Sequence, residues 1–210
     1  MLLNCFFNYQ NTFSYDSILW SNQDTITSGA AGGLSEKEAK LHTYHTFAFD
    51  RLCIGMKTKQ ATRWQKLDVV SDSLYSLIKG GVYHPTAIGR KAWKELIPQS
   101  SLQRNCNKEG FNVRVSNNKK ITRIRIGIIS NQENNCNTPD SRIGIGGAGT
   151  YCGQDGSISV GNTARCLADN GDKNIKSFGY IFAAKPPTEG KLGTRSNPAA
   201  SCKDIKAARR

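Results

Sequence analysis

Gly110-Phe111-Asn112-Val113-Arg114-Val115, an Asn117-Asn118-Lys119-Lys120 turn, then Ile121-Thr122-Arg123-Ile124-Arg125-Ile126-Gly127-Ile128-Ile129 reads as a β-hairpin. Alternation at period two places Ile124, Ile126 and Ile128 on one face and Arg123 and Arg125 on the other, the pattern of an antiparallel sheet with one wet side. Working outward, His42 to Phe49, Leu52 to Met56 and Trp64 to Val70 are rich in aromatic and β-branched residues and read as strands, and Phe178 to Ala183 reads as a closing strand. Two short helices interrupt them. Leu74, Leu77 and Ile78 share one helical face before Gly80-Gly81, and Gly89 to Leu96 carries Trp93, Leu96 and Ile97 before Pro98. The expected fold class is mainly β (α+β), a disulfide-stapled antiparallel sandwich or rolled sheet with two short helices.

The 210 residues suffice for one medium domain with appendages. Composition suggests a polar leader or linker at 1–40, with Gly-Ala-Ala-Gly-Gly at 29–33, and a β-rich domain at 41–184. A linker at 185–200 with Pro186-Pro187 then leads into a short terminal piece at 201–210. No Lys or Arg precedes Lys37, and Asn4 and Asn8 interrupt the apolar start, so a full secretory signal is missing and the natural start is expected upstream. No stretch approaches the ~18 consecutive apolar residues of a membrane helix, so no membrane partner is expected.

Lys and Arg number 29 against 16 Asp and Glu, a net charge of +13. Residues 41–183 hold 20 basic and 10 acidic residues, so most of the excess belongs to the presumed domain rather than to a basic arm. Diffuse attraction to polyanions follows, with acidic matrix proteins or sulfated glycans as the expected partners. The sharpest candidates are Arg114, Lys119, Lys120, Arg123 and Arg125, on the wet face and turn of the hairpin.

The seven cysteines lie far apart with no CxxC pair, which removes the zinc-knuckle and thioredoxin readings. Wide spacing in a Gly- and Asn-rich β chain reads as a disulfide framework in an oxidising, extracellular compartment. Cys53, Cys106, Cys136, Cys152 and Cys166 are the candidates, with at least two bridges expected within 53–166. Connectivity stays open, and an odd count leaves one thiol over. An extracellular location also argues against nucleic acid, for which aromatic platforms interleaved with basic residues are only weakly present.

Gly144, Gly146 and Gly149 match G-x-G-x-x-G, yet Thr150 to Gly156 does not form the helix a dinucleotide needs, so a cysteine-stapled glycine loop is expected. His42 and His45 form H-x-x-H; on the strand expected there they point to opposite faces and share no metal. Asp169-Asn170-Gly171-Asp172, with Asp155 and Asp140 in nearby loops, offers hard oxygen ligands without the EF-hand register, so Asp155, Asp169 and Asp172 are candidates for calcium, the one cofactor considered. No catalytic motif is present, and a disulfide framework consumes the thiol that Cys/His catalysis needs, so no enzyme is expected.

Leu52-Cys53-Ile54-Gly55-Met56-Lys57, Ser73 to Ile78, Cys106 to Asn112, Gly127 to Cys136 and Asp169 to Asp172 resemble a secreted module found in the uncharacterised skeletal organic matrix proteins of stony corals, over roughly residues 45–183. The resemblance implies a secreted, non-enzymatic component of a mineralised extracellular matrix and carries over no site residues. Pro198-Ala199-Ala200-Ser201-Cys202-Lys203-Asp204-Ile205 is similar to the opening of a fibrinogen C-terminal-like domain. That likeness implies a partner for Cys202 further along a longer chain. Matrix proteins that meet carbonate mineral directly are typically acidic and this one is basic, so direct nucleation is not expected. A lectin-like, calcium-assisted glycan binder is the alternative, and an extracellular hydrolase stands third.

Overall fold

The computed structural model describes residues 5–7, 11–27, 36–117, 120–185 and 202. The Gly-Ala-Ala-Gly-Gly stretch, most of the expected linker at 185–200 and residues 203–210 of the expected fibrinogen-like opening lie outside them. Among the described residues the strands are β1 (Cys5–Phe7), β2 (Ile26–Thr27), β3 (Ala39–Lys40), β4 (Phe49–Lys57), β5 (Thr62–Ser71), β6 (His84–Pro85), β7 (Asn105–Asn117), β8 (Lys120–Asn131), β9 (Ser141–Gly149), β10 (Val160–Ala164), β11 (Lys173–Lys176) and β12 (Phe178–Ala184). The α-helices are α1 (Thr43–Thr46), α2 (Leu74–Ile78) and α3 (Gly89–Glu95). Among the described residues no helix is long and apolar enough to cross a membrane.

Two antiparallel six-stranded sheets face each other. One runs β2-β3-β1-β12-β4-β5, with the last strand among the described residues inserted between β1 and β4; the other runs β11-β10-β9-β8-β7-β6, a meander in sequence order. Leu52, Ile54 and Met56 of β4 and Ile181 and Ala183 of β12 meet Phe111, Ile126, Ile128, Ile143, Ile145 and Val160 of the other sheet. Each such fully buried aliphatic side chain contributes about 1.5–3 kcal/mol of transfer free energy. At Gly179 the other sheet packs directly on the backbone, where a Cβ would stand 3.1 Å from both Ile145 Cδ1 and Val160 Cγ1.

The expected strand at 42–49 is corrected: His42 is already helical, α1 follows it, and β4 begins only at Phe49. Parts of 1–40, read as a leader, belong to the fold, since β1 pairs with β12, β3 pairs with β1, and Phe13 and Trp20 are buried in the core. Strands of two or three residues carry no alternation for a sequence reading to find. Both expected helices form, and a third, α1, joins them. Ser73 caps α2 by accepting from Ser76 N at 3.0 Å. Helix α3 lacks a side-chain cap of its own; the buried Glu109 of β7 accepts from Ile88 N at 3.2 Å, Gly89 N at 2.8 Å and Trp93 Nε1 at 2.8 Å.

The hairpin forms as β7 and β8, but its isoleucines do not share one face. Asn112 (φ 51) and Gly146 (φ 69) are left-handed on the strands flanking β8, in the row that contains Arg125. One such residue shifts strand alternation by one, which turns every following side chain to the other face. Phe111, Ile126 and Ile145 therefore enter the inter-sheet core, whereas Val113 and Ile124 join Ile129 in a separate cluster. The glycine-rich stretch is also corrected: it is strand β9, between β8 and β10, not a loop. Arg142 explains its composition. This fully buried guanidinium lies over β9, and a Cβ at Gly147 would stand 2.8 Å from its Nε.

Candidate polyanion-binding surfaces

The hairpin tip leaves Arg114 and Lys120 exposed, while Lys119 lies outside the described residues. Arg123 and Arg125, expected in solvent, are engaged instead. Both guanidiniums lie over the Tyr15 ring, at 4.6 and 4.2 Å from its centroid. Arg123 donates to both carboxylate oxygens of Asp16, and Arg125 donates to Tyr15 O at 2.8 Å and to Asn112 Oδ1 at 2.7 Å. Burial lowers the Arg125 pKa from its ordinary value. The physical reason is the row at Asn112, Arg125 and Gly146, where the change of face turns these arginines toward Tyr15 and Trp20.

A second basic surface gathers residues that the sequence pattern did not single out. The turn between β4 and β5, closed by Thr58 N donating to Ala61 O at 2.9 Å, stands beside the edge strand β11. Two adjoining clefts of about 580 and 400 Å³ share Thr58, Lys59 and Lys176. Lys57 lines the larger cleft and is paired with Glu36 at 2.6 Å. Gln60, Gln99 and Asn174 supply polar groups, and Pro98, Ile158, Ile175 and Phe178 supply apolar walls. Asp155 is the acid of the smaller cleft; hydrogen bonds from the Ser157 hydroxyl and N–H lower its pKa first, with the charges of Lys176 and Arg142 adding to them. Ammonium groups on flexible stems are point charges that adapt to sulfate or carboxylate strings without fixed geometry. The only sequence signal was the excess of basic residues over 41–183, since Lys57 and Lys176 come from different sheets and Lys59 from a turn.

No protein-family model, curated protein or solved structure matches the chain. Function has to follow from the chemistry of its surfaces.

The three calcium candidates do not form one cluster, each being committed to other partners. Asp155 accepts from Ser157 N at 2.9 Å and Ser157 Oγ at 2.7 Å, and Asp172 pairs with Arg165 at 3.3 Å. Asp169 receives Arg90 and Lys94 of α3 and the Leu102 N–H. Burial alone would raise its pKa, but the hydrogen bonds from Lys94, Arg90 and Leu102 hold it down to about 2. Asp140 instead lines an open groove of about 900 Å³ with Asn117, Lys120, Gln132, Thr138, Tyr151 and Cys152. Its pKa is raised by burial, against the opposing hydrogen bond from Gln103.

The five cysteines expected to form disulfides all do so. Cys106 pairs with Cys136 and Cys152 with Cys166, at Cα separations of 5.0 and 6.3 Å, giving two bridges within 53–166. Asp140 lies beside the second pair, whose joined sulfurs are no longer thiolate ligands. Cys53 pairs with Cys202 at a Cα separation of 5.7 Å, so the partner of Cys202 is within this chain, not beyond it. Beside that bridge, Trp64 stacks on Phe182 at 5.2 Å on the outer face of β4, β5 and β12, with Phe178 and Tyr180 buried in the same cluster.

Proposed function

We propose that this chain is a secreted, non-enzymatic component of an extracellular matrix, of the mineralised skeletal kind that its sequence resembles, and that it holds acidic macromolecules on the Lys57, Lys59 and Lys176 cleft. Convergence of Lys57 of β4, Lys59 of the β4–β5 turn and Lys176 of β11 on two adjoining clefts is the observation that carries the reading. The net charge of +13 supports it, because the field of the whole domain draws a polyanion in before local contacts form. Three disulfides suit an oxidising compartment. Attraction of this kind is screened over ~8 Å at physiological ionic strength, so retention on a sulfated resin falls steeply as salt rises.

Chromatography on a heparin-type resin tests the surface. The Lys59→Gln, Lys176→Gln double variant should elute at lower salt than the parent, and Arg114→Gln, Lys120→Gln should change elution less. Unchanged elution of the cleft variant, with a native circular dichroism spectrum, removes the cleft from the reading. Retention that disappears on calcium chelation supports the lectin alternative instead. Peptide sequencing of demineralised stony-coral skeleton tests the location.

A further inference from the structure

His42 and His45 stand one helical turn apart. The backbone at His42 is helical (φ −50, ψ −35), and His45 N donates to His42 O at 3.2 Å. Residues three apart on a helix share a face, whereas on the extended chain expected from sequence they would not. Their ring centroids are 4.5 Å apart, with the ring planes at 80°. The buried Nδ1 of His45 has no hydrogen-bond partner among the described residues. A buried polar atom without a partner is costly, so a group that pairs with it is favoured.

A metal ion fits that role. With metal–nitrogen bonds of roughly 2.0–2.1 Å, two imidazoles sharing one ion have ring centroids about 4.5–5.5 Å apart, the range in which this pair already lies. His42 is exposed, so its ring can turn toward the ion without disturbing the core. Among the described residues, the charges of His42 and Lys40 act on His45. Lys40 is itself engaged: its ammonium donates to Asn22 O at 2.8 Å and to Asn22 Oδ1 at 2.6 Å, and lies 4.8 Å from the Tyr44 ring centroid. A pair of imidazole nitrogens suits borderline transition-metal ions and not calcium, which needs six or more oxygens.

We propose that His42 and His45 together bind one divalent transition-metal ion of the Zn²⁺, Ni²⁺ or Cu²⁺ class, through Nδ1 of His45 and a ring nitrogen of His42, with water completing the coordination. The site is separate from the lysine cleft and independent of its function. Calorimetric titration of the full chain with NiCl₂ near neutral pH, in a non-coordinating buffer, tests it. One ion should bind per chain, and His42→Gln and His45→Gln should each weaken binding by about tenfold or more, since each leaves a single imidazole. His84→Gln, which alters the third histidine on β6, should leave the isotherm unchanged, and CaCl₂ should give no saturable heat. His42→Gln is the decisive variant because the residue is exposed and the fold does not depend on it. No saturable Ni²⁺ binding in the parent, or parental affinity in His42→Gln, overturns the assignment.

Discussion

The Arg125 guanidinium donates to the Asn112 side-chain oxygen at 2.7 Å, in the row where β7, β8 and β9 change faces. The amide nitrogen of the same asparagine lies within hydrogen-bond distance of Leu77 O, Ile78 O and Val82 O, at 3.1, 3.2 and 2.9 Å. One side chain thus closes the end of α2, anchors a half-buried arginine and occupies a left-handed backbone position that asparagine tolerates better than most residues.

Asn112→Ala should therefore cost about 2–4 kcal/mol, because buried carbonyls and a guanidinium lose their partner together and alanine is strained at positive φ. Asn112→Gly keeps the backbone freedom and should cost about 1 kcal/mol less. Urea denaturation of the two variants measures the difference, and equal losses would show that the strain is unimportant there.

Gly147→Ala should destabilise by about 1–3 kcal/mol through overpacking, since the new Cβ meets the buried Arg142 side chain at 2.8 Å. The penalty should shrink in an Arg142→Ala background, where that side chain is gone. A double-mutant cycle reads the coupling directly, and additive losses would mean that another group sets the space above β9.

Acid should unfold the α3 attachment in a defined window. The folded pKa of Asp169, about 2, lies below its ordinary value of 3.8, so its contribution to stability is complete above about pH 4 and is lost as pH falls toward 2. Asp169→Asn should lower stability at neutral pH by about 1–3 kcal/mol and flatten the stability profile between those limits. Denaturant titrations from pH 2 to 6 compare the two slopes, and identical slopes would assign the acid sensitivity to other carboxylates.

The disulfides should rank by the length of chain they close. Sequence separations of 149, 30 and 14 give losses of about 5, 4 and 3 kcal/mol when Cys53–Cys202, Cys106–Cys136 and Cys152–Cys166 are replaced pairwise by alanine, on the chain-entropy account. A reversed order in equilibrium unfolding would point to residual structure in the denatured chain.

What the sequence disclosed was local. Strands β5 and β12, helices α2 and α3 and the hairpin follow from periodicity and from the glycines and prolines that stop them. The face change at Asn112 does not, because one left-handed residue inside an alternating run leaves the composition of the run intact. Strand β9 was hidden for a related reason: Gly147 and Gly149 weaken any strand propensity, and the buried Arg142 that needs their missing side chains belongs to a packing arrangement, not to a pattern. His42 and His45 were visible as a motif but assigned to the wrong backbone, so their shared face was missed. Of the basic residues, the hairpin set was legible through its alternation, while the lysine cleft draws on distant segments that only the tertiary fold brings together.

The bridge between Cys53 and Cys202 also decides how the domain meets mechanical tension. Force entering through the backbone on one side of the pair and leaving on the other passes through a covalent link whose Cα atoms are 5.7 Å apart, and the 149-residue span between them is bypassed. That span corresponds to about 500 Å of extended contour at 3.3–3.6 Å per residue, none of which can be released while the bond is intact. Under tension the span from Cys53 to Cys202 would behave as a short inextensible node governed by the redox state of one cystine, whereas β1 to β3, which precede Cys53, could still be pulled away from β12.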